Sequence, residues 1–189
     1  KNLLKQLDYP LAAPSANITT KVSAVKAKDV KEEFGNKIKY ILDGGTCAIG
    51  IESTIVNLTA RPTILRLGGI DILKIQKALG FKVNVFINPT KKIVPGQSRL
   101  HYSPGVPLRM NVKRPKNDEA FIIIKKKKTK LKNYFYLTTK NNLDEAARNL
   151  YSCLRKIKNQ GYKSIAVEKI SNKGLGAAIN DRLNRASKY

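Results

Sequence analysis

Gly50-Ile51-Glu52-Ser53-Thr54-Ile55-Val56 decides the fold of this chain, together with Leu65-Arg66-Leu67-Gly68-Gly69 downstream and Ala13-Pro14-Ser15-Ala16-Asn17 upstream. Each stretch places glycines, or small hydroxyl or amide side chains, beside an apolar run that predicts a β-strand. Hydroxyl, amide and backbone N–H groups are suited to binding phosphate and carboxylate oxygens. The three stretches therefore predict an α/β protein with a nucleotide site.

The composition is typical of a globular protein. The 189 residues are 42% hydrophobic and 26% charged, enough for one good core or two small ones. No apolar run reaches the roughly 18 residues that span a bilayer, and the first ten residues have no apolar stretch of signal-peptide length. We therefore expect a cytoplasmic location and no membrane contact.

Cysteine and histidine usage argues against a metal centre. Cys47 and Cys153 stand far apart without a Cys-x-x-Cys context, and His101 is the only histidine. This pattern predicts neither a zinc site nor a disulfide framework. A lone histidine is more often structural than catalytic, so we give His101 no general-base role and assign no catalytic residue.

The formal net charge of +24 comes from 37 basic and 13 acidic residues. A field of that size attracts RNA, DNA or an anionic membrane surface. Only nine of the basic residues are arginine, however. Lysine lacks the planar guanidinium group with which arginine forms two hydrogen bonds to the edge of a base. General lysine enrichment and a nucleic-acid surface both stay open, and the run 125–128 is read as a solvated loop.

The order of apolar runs divides the chain into three parts. Residues 1–88 alternate strand-like and helix-like runs, 89–108 form a proline-rich linker, and 109–189 read as a small α/β unit. In the last part, a strand, a helix and a strand form a parallel crossover unit. The pattern predicts helices at 24–34, 70–79, 143–157 and 175–185, and strands at 38–42, 54–58, 63–65, 120–124, 134–137 and 164–167.

Individual polar residues of the first part have two readings each. Ser15 and Asn17 either bind an anion or form a turn that caps the next helix. Ser53 is predicted to begin a strand, where its hydroxyl either contacts a ligand or is simply a polar side chain at the edge of the strand. Arg66 has the planar fork suited to a phosphate, or is a surface arginine.

Two further motifs extend the pattern. His101-Tyr102-Ser103-Pro104 lies in the linker, and Gly174-Leu175-Gly176-Ala177-Ala178-Ile179-Asn180-Asp181-Arg182-Leu183 lies near the C-terminus. With the earlier stretches, in this order, they resemble the YrdC/Sua5 family of L-threonylcarbamoyladenylate synthases. The resemblance implies the C-terminal part of a YrdC-like α/β catalytic domain, a linker, and a small Rossmann-like Sua5 domain.

The resemblance also implies a reaction and its site. Threonine, bicarbonate and ATP, with Mg²⁺, give threonylcarbamoyl-AMP and pyrophosphate, and a tRNA-modifying threonylcarbamoyl transferase uses the product to make N6-threonylcarbamoyladenosine at tRNA position 37. The linker is a strap over the pocket, with Tyr102 a lid residue outside the core. The nucleotide residues are Ser15, Asn17, Ser23, Arg66 and Tyr102, and the threonine residues are Ala13 and Ser53.

The family pattern is incomplete in this chain. It departs from the pattern at Thr19-Thr20, Ala24 and Leu67, and no stretch matches the family's front half with its Lys-x-Arg pair. A longer chain, a split gene and a decayed remnant all explain this. A non-catalytic, basic RNA-binding module is the rival function, and contact with tRNA is a further possibility.

Overall fold

A computed structural model describes residues 2–59, 61–87, 93–128 and 131–188. Ala60 of one predicted turn and Pro89, where the predicted linker begins, lie outside these ranges. The described residues form two sheets with helices packed between and beside them. The helices are α1 (Ala27–Phe34), α2 (Ile72–Leu79), α3 (Leu143–Asn159) and α4 (Gly176–Ala186), and none is long and apolar enough to cross a membrane.

The C-terminal sheet has four parallel strands. Its order is β4-β7-β5-β6, and the strands are β4 (Leu108–Arg109), β5 (Ala120–Lys125), β6 (Tyr134–Thr138) and β7 (Ile165–Val167). The unbroken apolar run of β5 is buried, as expected for a parallel strand covered on both faces. The three strands predicted in this part are confirmed.

Helix α3 is the long crossover between β6 and β7. It begins at Asn142, whose side chain accepts hydrogen bonds from the backbone N–H groups of Asp144 and Glu145. Acidic residues in the first turn and lysines in the last turn complement the helix dipole. The predicted apolar face is buried, so the strand, helix and strand unit is confirmed, with β5 lying between its two strands.

The N-terminal sheet is small. Its order is β1 (Ile55–Asn57), β2 (Thr63–Arg66) and β3 (Asn84–Val85), with the first pair antiparallel and the second parallel. Helix α2 connects β2 to β3 and ends at Gly80 in the left-handed conformation, as predicted. Helix α1 begins at Ala27, three residues later than predicted, because Val25 donates its N–H to the Asp29 side chain and Lys26 is extended.

The strand predicted at 38–42 is wrong. The described structure gives these residues no strand partner, and Tyr40 and Leu42 are each 80% exposed. An apolar alternation becomes a strand only where a neighbouring strand takes up its backbone hydrogen bonds.

One face of α3, in the C-terminal part of the chain (109–189), contacts the N-terminal part (1–88). Arg148, Tyr151 and Arg155, one turn apart, contact the Ala48 carbonyl, Glu52 and the Val22 carbonyl, respectively. Gly50 lies so close to α3 that a Cβ atom there would approach the Arg148 backbone within 2.4 Å. A single cluster of buried apolar side chains continues through both parts.

Candidate functional site

A cavity of about 430 Å³ lies where the N-terminal part meets α3. Its walls come from residues 15–16, 23–25 and 47–52, and Tyr151 of α3 completes them. Most of the lining is apolar, and the polar side chains are Ser15, Ser23, Glu52 and Tyr151. This is the composition of a site for a small molecule, with a few polar groups that fix its orientation.

Two residues of the first motif, Ser15 and Ala16, line this cavity. Ala13 and Ser15 are exposed, and Ser15 lines the cavity. Asn17 does not line it: its amide nitrogen donates to the Ile18 and Lys21 carbonyls and so holds the turn. The Asn17 Oδ1 atom is buried without a hydrogen-bond partner, which leaves an acceptor unused beside the site.

Ser23 is buried and its hydroxyl donates to Glu52 Oε1 over 2.8 Å. The Tyr151 hydroxyl donates to the same carboxylate at 3.0 and 2.9 Å. Arg182 of α4 donates from Nε and Nη2 to Glu52 Oε2 at 3.2 and 3.0 Å. Three segments of the chain therefore converge on one carboxylate in the cavity wall.

The ionisation of Glu52 depends on these partners. Burial by itself raises the pKa of the carboxyl group, but the Arg182 guanidinium and the hydrogen bonds from Ser23 and Tyr151 outweigh it. The pKa of Glu52 is therefore lower than its ordinary value of 4.5. The wall of the cavity holds a paired carboxylate at neutral pH.

Ser53 and Arg66 lie in direct contact beside Glu52. Arg66 donates from Nε to the Ser53 carbonyl and from Nη2 to the Ser53 hydroxyl, both at 3.1 Å. Its Nη1 donates to the Pro95 carbonyl at 3.1 Å. The structure thus brings together one residue predicted for threonine and one predicted for the nucleotide.

Residues 93–104, which we call the strap, pack on β2 and on the C-terminal helices. Gln97 donates to the Leu65 carbonyl, and the Ser103 N–H donates to the Thr20 carbonyl. Gly96 has a φ of +88°, and a Cβ atom there would lie 2.6 Å from the Tyr102 hydroxyl. Only a glycine fits this turn without displacing Tyr102.

Tyr102 is not a lid residue outside the core, contrary to the expectation from the resemblance. Its side chain is 1% exposed, and its ring stacks on the Tyr151 ring with the centroids 5.6 Å apart. The Arg182 guanidinium lies over the Tyr102 ring, 5.3 Å from its centroid. Burial raises the pKa of Tyr102 to about 12. The physical reason is that the strap lies between the N-terminal part and the C-terminal helices, where burial of an aromatic ring is favourable.

His101 is partly buried beside Tyr102. Its Nδ1 accepts the Tyr102 N–H at 3.1 Å, and burial lowers the pKa of the imidazole below 6.5. A neutral ring that accepts a backbone hydrogen bond is a structural arrangement. No role in catalysis follows from it.

Sequence reasoning missed the charged pair at the centre of the site, Glu52 and Arg182. Glu52 lies within the motif that also contains Ser53, and Arg182 lies within the C-terminal motif 174–183. The signal was the presence of a charged residue inside each motif, next to residues that the patterns bury. The described residues hold no group of three His, Cys, Asp or Glu side chains arranged to bind a metal ion.

These features define an α/β protein in which loop segments of the N-terminal part and Tyr151 of α3 line a small-molecule cavity, with an arginine and serine pair next to Glu52 of its wall. A family model described as Threonylcarbamoyl-AMP synthase, C-terminal domain, matches residues 70–188, and one described as Telomere recombination matches residues 1–68. The chain belongs to the threonylcarbamoyl-AMP synthase family, which confirms the resemblance to YrdC/Sua5 proteins.

Named relatives show the same similarity. The threonylcarbamoyl-AMP synthase of Pyrococcus abyssi is 35% identical over 99% of this chain and 60% of its own length. That of Schizosaccharomyces pombe is 32% identical over 98% of this chain and 54% of its own length. The crystal structure of P. abyssi Sua5 complexed with L-threonine superposes with a TM-score of 0.84, at 32% identity, over 99% of this chain and 60% of that one. The chain therefore spans a little over half the length of these relatives.

Proposed function

We propose that this chain supplies the cavity and the Ser53 and Arg66 pair of a threonylcarbamoyl-AMP synthase. The observation that carries the proposal is the contact between Ser53 and Arg66 beside a cavity lined by Ser15 and Ser23, in a chain whose relatives are named for this activity. The substrates are L-threonine, bicarbonate and ATP. In this proposal, residues 1–88 are the C-terminal part of a YrdC-like domain, residues 89–108 are a linker, and residues 109–189 are a Sua5 domain.

The reaction has two bond-forming steps. The threonine amine attacks the carbon of bicarbonate, and water is lost to give threonylcarbamate. A carbamate oxygen then attacks the α-phosphate of ATP, and pyrophosphate leaves. The residues of this chain bind and orient the reactants, and we assign no proton transfer to them.

Arg66 contributes to phosphate binding. A guanidinium has five N–H donors, and the contacts with Ser53 and Pro95 use three of them. Two donors are left for phosphate oxygens while Ser53 stays in place for the amino acid. Ser15 and Ser23 supply hydroxyl groups on the cavity side, Asn17 holds the turn and offers its Oδ1 atom to the nucleotide, and Ala13 leaves room for threonine.

Tyr102 contacts the nucleotide in this proposal only after a movement of the strap, because its side chain is buried against Tyr151. Mg²⁺ arrives on the phosphate oxygens of ATP, since Glu52 is the acidic residue of the cavity wall and is paired with Arg182. The cytoplasmic location and the consumption of the product by a tRNA-modifying threonylcarbamoyl transferase stay predictions.

Binding calorimetry tests this proposal. The chain should bind Mg·ATP, and L-threonine should bind more tightly when ATP is present. Ser53→Ala should weaken threonine binding by the loss of one hydrogen bond, about 0.5–1.5 kcal/mol, and should leave the affinity for ATP nearly unchanged. Ser152→Ala, on the outer side of α3, is the matched control. Equal threonine affinity in all three proteins would contradict the proposed role of Ser53.

RNA binding is the second candidate function, and one observation favours it. A groove of about 310 Å³ beside β6 is lined by Tyr136 and Lys156, and Lys126 lies 5.3 Å from the Tyr136 ring. Residues 125–128 are exposed, as the solvated loop reading predicted. An exposed aromatic ring between lysines is suited to stacking on a base. If RNA binds there, Tyr136→Ala should lower tRNA affinity in a filter-binding assay, whereas replacing Tyr9, an exposed tyrosine of the first part of the chain, by alanine should not.

A further inference from the structure

The Glu52 carboxylate lies at the meeting point of three elements. The Glu52 side chain is 19% exposed, and the Arg182 side chain is fully buried. A buried arginine is costly unless its donors are used, and here Asp181 and Glu52 accept them. The Arg182 guanidinium and the Glu52 carboxylate therefore hold each other in position.

The two carboxylate oxygens divide the partners between them. Oε1 accepts from the Ser23 hydroxyl, Oε2 accepts from Arg182, and the Tyr151 hydroxyl lies within 3.0 Å of both. Ser23 and Arg182 therefore hold opposite oxygens of the same carboxylate group. The position of Arg182 on α4 is thus transmitted to a side chain of the cavity.

We propose that Arg182 is a positioning residue of the candidate site: through Glu52 it fixes Ser23 and the wall of the cavity, so that α4 is part of the site's architecture. The inference rests on the proposed function, since Ser23 matters only if the cavity binds the nucleotide. A purely structural ion pair would affect the stability of the fold and leave the affinity of the folded protein unchanged.

The two cysteines provide the measurement. Cys47 is exposed and lines the cavity, and its N–H donates to the Val25 carbonyl, two residues from Ser23. Cys153 is buried, and burial raises the pKa of its thiol to about 12. Alkylation of Cys47 therefore reports on the cavity, and alkylation of Cys153 reports on unfolding.

The variants are Arg182→Met, Arg182→Lys and Glu52→Gln. Arg109→Met is the matched control, because Arg109 also forms a two-bond ion pair with a glutamate, Glu119, but in the C-terminal sheet. Each protein is alkylated with iodoacetamide over a series of Mg·ATP concentrations. The readout is the ATP concentration that gives half of the full protection of Cys47.

In the unsubstituted chain, Mg·ATP should slow the alkylation of Cys47. In Arg182→Met the half-protecting concentration should rise by about tenfold or more, the effect of losing one hydrogen bond to a charged group. Arg182→Lys should recover only part of the affinity, because a point charge cannot reproduce the fork. Arg109→Met should stay within about twofold, as expected for a distant site.

Equal half-protecting concentrations in Arg182→Met and the unsubstituted chain, with Cys153 still unreactive, would overturn the inference. If Arg182→Met unfolds and Cys153 reacts, Arg182→Lys and Glu52→Gln decide the question by the same criterion. Absence of any ATP protection in the unsubstituted chain would instead overturn the proposed function. The structural part of the inference, that Arg182 fixes the cavity wall, is then decided without ATP: Cys47 should react faster in Arg182→Met than in Arg109→Met, and equal rates would refute it.

Discussion

Arg66 uses three donors of its guanidinium group inside the protein, and the proposed phosphate ligand takes the other two. It bonds the carbonyl and the hydroxyl of Ser53, which fixes the rotamer of that serine, and it also holds the strap at Pro95. The same guanidinium therefore connects the proposed threonine side, the proposed phosphate side and the strap. These three bonds fix the position of the guanidinium group.

Replacing Arg66 should weaken nucleotide binding. Arg66→Ala should cost on the order of 1.5–3 kcal/mol in Mg·ATP affinity, the range for a hydrogen bond to a charged group. Arg66→Lys should recover part of it because the charge stays but the fork is lost. Calorimetry is the measurement, with Arg109→Ala as the control, and unchanged affinity in both Arg66 variants would return Arg66 to the surface-residue reading.

The Glu52 carboxylate should make the stability depend on acid pH. Its pKa in the folded protein is below 4.5, so its contribution to the free energy of unfolding is fully present above that pH and is lost as the pH falls through the folded value. Glu52→Gln cannot titrate. We expect the difference in unfolding free energy between the unsubstituted chain and Glu52→Gln to shrink as the pH is lowered below 4.5.

Urea unfolding at a series of pH values measures this difference. Glu119 and Glu145 also have lowered pKa values, but they are present in both proteins and cancel in the comparison. A difference that stays constant from neutral pH to well below 4.5 would show that Glu52 is not held ionised by its partners.

At the scale of elements, the strap is held by packing and by backbone geometry. Gln97 accepts the N–H groups of Ile93 and Val94 and donates to the Leu65 carbonyl, which ties the turn to β2. Tyr102, itself in the left-handed region with a φ of 59°, places its ring in the junction. Movement of the strap therefore requires Tyr102 to leave its contact with Tyr151.

Gly96→Ala should loosen the strap. The new Cβ would lie 2.6 Å from the Tyr102 hydroxyl, so Tyr102 or the backbone must move. Gly161→Ala is a close control, because Gly161 has a similar φ of +78° but nothing within 4 Å of the added atom. Trypsin should cleave near Arg99 faster in Gly96→Ala than in Gly161→Ala. Equal cleavage rates would show that the contact with Tyr102 does not hold the strap.

Elements whose stability is local were predictable. Helix α3 has its cap, its charges and its apolar face within one stretch of sequence, and β5 is an unbroken apolar run. The segment 38–42 has a strand-like pattern but no partner strand, and pairing cannot be read from one stretch alone. Tyr102 was likewise expected in a lid, because its burial depends on helices distant in the sequence.

At the scale of the whole molecule, long-range contacts build the site. The bonds of Glu52 join residues 29, 99 and 130 positions apart, and no local pattern indicates which charges will pair over such separations. The motifs predicted Ser15, Ser23, Ser53 and Arg66 as site residues. The folded structure was required to show that Ser23 bonds a Glu52 carboxylate held from α4 and that Arg66 holds the neighbouring Ser53.

The first part of the molecule also exposes large apolar side chains. Tyr40 and Leu42 are the most exposed of them, and several residues near the start of the chain are at least half exposed, namely Leu3, Leu4, Tyr9 and Leu11. The relatives are longer than this chain, which covers 60% of the P. abyssi protein. We expect residues corresponding to the unmatched part of the relatives to cover this surface and to supply further substrate contacts.

Synthesis by a chimeric protein tests the central claim most directly. The part of the P. abyssi relative that this chain does not match is fused to this chain, and threonylcarbamoyl-AMP is measured by mass spectrometry after incubation with threonine, bicarbonate and Mg·ATP. We predict product from the chimera, little or none from the 189 residues alone, and a marked loss in the chimera carrying Arg66→Ala. A chimera that is folded and binds ATP but forms no product would contradict the account.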